Sequence, residues 1–127
     1  MQTEFSNINL IIQQFEEARD MLNAFLADGN NVRQIERAVQ IMTDAIRTNH
    51  KIISCGNGGS MCDAMHFAEE LSGLFRAERK ALPAIAISDP SHITCAANDY
   101  GFEAIFSRYI EAIGQPGDVL LAISTSG

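Results

Sequence analysis

Three short apolar runs, IIS at 52–54, AIAIS at 84–88 and VLLAIS at 119–124, lack polar alternation and are separated by stretches of helical periodicity. A strand apolar on successive residues offers both faces for burial, and a parallel sheet layered between helices is the architecture that buries both. The intervening segments read as helices over 60–75 and 91–112, the second broken near Tyr100-Gly101. Ahead of them, Ile8, Ile11, Ile12, Phe15, Ala18, Leu22, Phe25 and Leu26 recur every three or four residues, the stripe of an amphipathic helix that ADGN at 27–30 terminates. A second helix is expected from Asn31, with Gln34 as its capping-box partner and a stripe running from Val32 to Ile46, until Asn49 and His50 break it.

The expected order is ααβαβαβ: a helical segment over 1–50, then three strands with their helices over 51–127. The run at 119–124 needs cover on both faces and no residue after Gly127 supplies it, so the expectation is the N-terminal part of one longer α/β domain, cut after its third strand.

A chain of 127 residues with 46% hydrophobic and 20% charged residues fits one domain. Its net charge of -7 argues against a nucleic-acid partner, since phosphate neutralisation needs clustered Lys and Arg. The N-terminal apolar run has no basic flank and is broken by Gln13, Gln14, Glu16 and Glu17, which disfavours a signal peptide or membrane span and makes the cytoplasm the expected location. Cys55, Cys62 and Cys95 form no CxxC pair, so reduced and mostly buried thiols are expected.

In a parallel sheet every strand delivers its following loop to the same edge, where ligands of open α/β folds bind. Three loops qualify here: GNGGS at 56–60, SDPS at 88–91 and STSG at 124–127. Their small and hydroxyl residues let backbone amides approach an anion. GNGGS is not a dinucleotide fingerprint, because Met61 stands where the third glycine belongs, and no Gly-Lys-Ser/Thr follows to make a P-loop. It is either a turn offering amides to a ligand or a plain glycine-rich connector. STSG is either an anion cradle or a Ser/Thr helix cap.

On a helical wheel the segment after GNGGS gathers Ala64, Ala68, Leu71 and Phe75 as a core face. Asp63, His66 and Glu70 lie roughly opposite, with His66 and Glu70 at i and i+4 and Glu69 pointing elsewhere. This is either a solvated polar face or a site in which His66 and Glu70 share a divalent metal or Glu70 acts as a general base. Asn98 and Asp99 suit a sugar hydroxyl or the cap of the next helix, and the cap is preferred. His92 reads as structural, and Gly117-Asp118 as turn chemistry alone.

Taken together, CGNGGSMCDAMHFAEEL, PAIAISDPSHITCAANDYGF, FSRYIEAIG and GDVLLAISTSG resemble the phosphoheptose isomerases of the sugar isomerase (SIS) family, over essentially all 127 residues. The resemblance implies a flavodoxin-like α/β fold, a homotetramer, and interconversion of sedoheptulose 7-phosphate with D-glycero-D-manno-heptose 7-phosphate, a precursor of lipopolysaccharide heptose. Carried over by motif, Asn57, Gly58, Gly59 and Ser60 contact substrate, Ser124, Thr125 and Ser126 hold its phosphate, and Asn98 and Asp99 line the sugar site. His66 and Glu70 match zinc ligands, and Glu70 also matches the acid-base carboxylate. The family completes this site with a glutamine and a histidine from its later half, so these 127 residues alone are expected to be inactive. Leu74 follows Gly73 where relatives often carry arginine, which bears on substrate choice. The alternatives are non-catalytic: the SIS paralogue that binds the replication initiator, which lacks the His66 and Glu70 pair, or a sugar-phosphate sensor.

Overall fold

The computed structural model describes residues 7–125 and 127, which divide between two compact units with the boundary between Gln40 and Ile41. The first contains α1 (Asn7–Ala27) and the start of α2 (Gly29–Arg47). The break between them is a single residue: Asp28 accepts the amide of Asn30 at 2.9 Å and so starts α2 at Gly29, two residues before the expected Asn31-Gln34 box. A carboxylate two residues before an orphan amide is the stronger local cap. α1 buries none of its residues.

The second unit holds a parallel sheet of β1 (Ile52–Gly56), β2 (Ala84–Ala86) and β3 (Val119–Ile123) in the order β2-β1-β3. Ile52 pairs with Ala84 on one side and Val119 on the other. Between the strands run α3 (Gly59–Ser72), α4 (Pro90–Tyr100), a 3₁₀ turn (Phe102–Ala104) and α5 (Ile105–Ile113). The expected order and parallel sheet are therefore present, with the predicted break falling at Gly101 (φ 98°).

All five residues of the central β1 are buried, whereas β3 alternates between partly buried and exposed, with Leu120 51% exposed. Burial on both faces thus holds for β1 alone, because its neighbours lie at the sheet's edges in this unit. One face is sealed by α3, whose Ala64 carbonyl accepts the Ser54 hydroxyl at 2.8 Å. On the other, Phe106, Tyr109, Ile110 and Ile113 of α5 pack against Ile53, Cys55 and Ile87.

Several local expectations need correction. Helix α3 ends at Ser72, so Phe75 falls beyond it and is 49% exposed, leaving Ala64, Ala68 and the partly buried Leu71 as the inward face. Only Cys55 is buried; Cys62 and Cys95 are exposed free thiols. Asn98 and Asp99 sit in the last turn of α4 and cap no following helix. Asp118 is more than turn chemistry: its carboxylate accepts the Lys51 amide at 3.0 Å, the Lys51 ammonium at 2.5 Å and the Gln115 amide at 2.8 Å, tying the start of β3 to the start of β1. Burial works to raise the Asp118 pKa, but the Lys51 and Gln115 hydrogen bonds outweigh it and hold it at about 2. Gly117 (φ 97°) permits that turn, and a Cβ there would stand 2.4 Å from the His50 ring.

Candidate functional site

The first loop is compressed by its own sequence. Gly56 closes β1 where a Cβ would stand 2.6 Å from the Ser60 carbonyl, so α3 approaches the strand end more closely than any side chain allows. Gly58 takes φ 55°, ψ −123°, and no side chain caps the helix that starts at Gly59. The N-terminal end of α3, with its partial positive charge, is thereby left to whatever occupies the loop. Gly56, Asn57 and Ser60 line a cavity of about 320 Å³ with Ser124 and Thr125 of the last loop, walled by Phe106. Ser60 is buried at 7% exposure, while the side of Gly59 is open. Ser124 Oγ also accepts the Gly127 amide at 3.1 Å. Ser126 lies outside the described residues.

Among the described residues the second loop, SDPS, contributes nothing to this cavity. Its Asp89 caps α4 by accepting the His92 amide at 2.9 Å and also accepts the Ser91 hydroxyl. Those bonds, the Ser91 hydroxyl foremost, hold its carboxyl below the usual range. His92 is structural, as its position suggests: Nε2 lies 2.9 Å from the Ile105 carbonyl and the ring meets Tyr109 edge-on at 4.9 Å.

A second cavity, of about 640 Å³, opens along α3. Asp63, His66 and Glu70 share it with the apolar Phe67, Leu71 and Phe75. One helical turn brings His66 Nε2 to 3.1 Å from Glu70 Oε1, with the His66 side chain 71% exposed and that of Glu70 32%. Glu69, expected to point elsewhere, joins them: one ligand atom from each of His66, Glu69 and Glu70 falls within 4.8 Å of the others. An imidazole nitrogen with carboxylate oxygens is a donor set that suits zinc among other divalent ions. Ile123, at the end of β3, lines both cavities and so joins the amide-and-hydroxyl loops to the carboxylate face.

Asn98 and Asp99 stand apart from both cavities. Asp99 lines a separate groove with His92, Tyr100 and Arg108, and its carboxyl is held low by the Asn98 amide and then the Cys95 thiol. Sequence reasoning missed three residues here. Phe106 and Ile123 carry no site signature of their own, and Arg79 lies in a stretch without periodicity beside two other cations, Arg76 and Lys80, so no local signal singled it out.

Relatives of known name match this chain closely. It is similar to the phosphoheptose isomerase of Cytophaga hutchinsonii, 59% identical over 117 residues, which are 92% of this chain and 61% of that protein. The phosphoheptose isomerase of Vibrio cholerae is 54% identical over 119 residues, 94% of this chain and 62% of the relative. Among solved structures, phosphoheptose isomerase GmhA from Neisseria gonorrhoeae superposes with a TM-score of 0.85 at 35% identity, covering 94% of this chain and 61% of that one. A phosphoheptose isomerase from Francisella tularensis gives 0.88 at 34% identity, covering 95% and 63%. The chain thus spans about three-fifths of the length of the relatives it matches. A family model described as the SIS domain matches residues 13–127, and with the parallel sheet and loop-lined cavity already described, the chain belongs to the SIS domain family.

Proposed function

We propose that the protein carrying this chain is a phosphoheptose isomerase, interconverting sedoheptulose 7-phosphate and D-glycero-D-manno-heptose 7-phosphate in the supply of lipopolysaccharide heptose. The observation that carries this reading is the His66–Glu70 pair, 3.1 Å apart, in a cavity that shares Ile123 with the loop cavity. The names of the relatives support it. Residues 1–127 then form the N-terminal part of one SIS domain, with 1–50 its helical segment.

Ketose and aldose differ by the position of one carbonyl and of two hydrogens, one on carbon and one on oxygen. A base removes a C1 proton of the ketose, an enediol forms as the carbonyl oxygen at C2 takes a proton, and a proton returns to C2 while the C1 hydroxyl gives up its proton and becomes the carbonyl. Glu70 is the carboxylate for the carbon proton, and Asn57, Gly58, Gly59 and Ser60 orient the sugar. Ser124, Thr125 and Ser126 hold the phosphate, a remote anchor whose binding energy fixes the reacting end. Asn98 and Asp99 are assigned to the sugar by the family motif alone, since they line neither cavity. Zinc held by His66 and Glu70 would supply charge stabilisation for the oxygens; the carboxylate of Glu69 is near enough to join.

The protein acts in the cytoplasm as a homotetramer. Among the described residues no helix is long and apolar enough to cross a membrane. The exposed stripe of α1, including Phe15 at 74% and Ile8 at 66%, supports burial against other copies of the chain.

Glu70→Gln tests the reading. In a coupled assay with sedoheptulose 7-phosphate the substitution should cost at least about 100-fold in kcat, with the tetramer intact by light scattering. A wild-type protein that binds the sugar phosphate without turnover would point to a sensor, and specific capture of the replication initiator would point to the binding paralogue.

A further inference from the structure

We propose that Arg79 is a positioning residue for Glu70, acting through the backbone at the end of α3. The inference rests on the role given to Glu70 above. The last carbonyls of a helix have no partner inside it and must find one elsewhere or fray. In α3, Glu69 O accepts the Gly73 amide at 2.7 Å and Ala68 O accepts the Ser72 hydroxyl at 3.0 Å. The next two carbonyls are met by one guanidinium: Arg79 Nη2 donates to Glu70 O, and Nη1 donates to Leu71 O at 2.8 Å while also reaching Lys80 O at 3.1 Å. The Leu82 amide adds a second bond to Leu71 O at 3.0 Å. The segment after the helix is thus folded back and pinned to the carbonyl of the very residue whose carboxylate faces His66.

The consequence is local and chemical. Glu70 lies close to the helix end at Ser72, where the turn is free to fray, yet its side chain must stay in register with His66 one turn earlier. Clamping the Glu70 and Leu71 carbonyls holds that turn closed. A guanidinium presents parallel donors in a rigid fork, whereas an ammonium is a single point of charge, so lysine cannot span both carbonyls in the same way. The positive charge also offsets the partial negative charge of the helix end, where a carboxylate is otherwise disfavoured. Arg79 lines the same cavity as His66 and Glu70, so the clamp forms part of that cavity's wall.

Arg79→Lys and Arg79→Ala in the intact enzyme test this, with the lysine variant retaining the charge should the alanine variant fold poorly. The decisive readout is the His66 imidazole resonances by NMR, which register the Glu70 contact with or without turnover. Both variants are expected to shift them, and to lower kcat about 10- to 100-fold, as loss of an outer support for a ligand does, with KM unchanged because the loop cavity is untouched. Unchanged His66 resonances in folded Arg79→Lys would overturn the proposal, even if the melting temperature fell. A wild-type enzyme without turnover would sink the isomerase reading and leave the resonances to decide on Arg79.

Discussion

Residues 7–27 and the sheet of residues 52–123 both advertise apolar faces, and they use them oppositely. Ile11, Phe15 and Leu22 of α1 are 56%, 74% and 56% exposed, while Ile52 and Ile53 of β1 are each 1% exposed. The stripe on α1 is regular enough to make the helix legible, yet nothing in that helix is buried. An apolar pattern therefore reports that a face needs cover and leaves open where the cover comes from. For β1 the cover is α3 on one side and α5 on the other. For α1 the proposed cover is another copy of the chain.

That contrast can be broken most sharply at Ile53. Ile53→Ala should cost about 2–5 kcal/mol of protomer stability in chemical denaturation. Ile11→Ala, measured where the protein is monomeric, should stay within about 0.5 kcal/mol, and a cost as large as that at Ile53 would show that α1 is core after all. Next comes the polar tie at the base of the sheet. Asp118→Ala removes the acceptor of three hydrogen bonds and should cost about 1–3 kcal/mol.

The same carboxylate predicts a pH dependence. Its pKa is held at about 2 in the fold against an ordinary 3.8, so its contribution is complete above 3.8 and is lost as pH falls through about 2. Urea titrations of wild type and Asp118→Asn should converge as the pH drops through that window; curves that stay parallel would contradict the assignment. A smaller loss, about 1 kcal/mol, is expected for Asp89→Ala, which strips the cap from α4. Least costly to the protomer is the pair Phe15→Glu and Leu22→Glu. It should leave the unfolding of the sheet-bearing unit unchanged while reducing the particle mass in light scattering, and an undiminished mass would remove α1 from the proposed interface.

Much of the fold was legible because its signals are local. The unbroken apolar runs announced parallel strands, the glycines of GNGGS announced a close turn, and i, i+4 spacing was enough to put His66 beside Glu70. The misreadings have separate physical origins. Phe75 fits the wheel of α3, but the helix stops at Ser72, and a wheel does not know where its helix ends. Glu69 was assigned away from the site because the wheel tracks direction from the axis, whereas carboxylates reach sideways on flexible stems to within 4.8 Å of their neighbours. Asn98 and Asp99 looked like the cap of a following helix because their short polar side chains suit one, yet the chain stays helical through Tyr100.

Element types, their order and the His66–Glu70 contact all follow from residues within a turn or a strand of one another, where backbone geometry converts spacing directly into proximity. Other features required the packed chain: that GNGGS and STSG share a cavity while SDPS is consumed in capping α4, that Asp118 reaches back to Lys51, and that Arg79 closes the end of α3. Those partners are brought together by strand order and by the paths of irregular segments. No periodicity encodes such paths, because they are set by which surfaces the sheet and helices bury against each other.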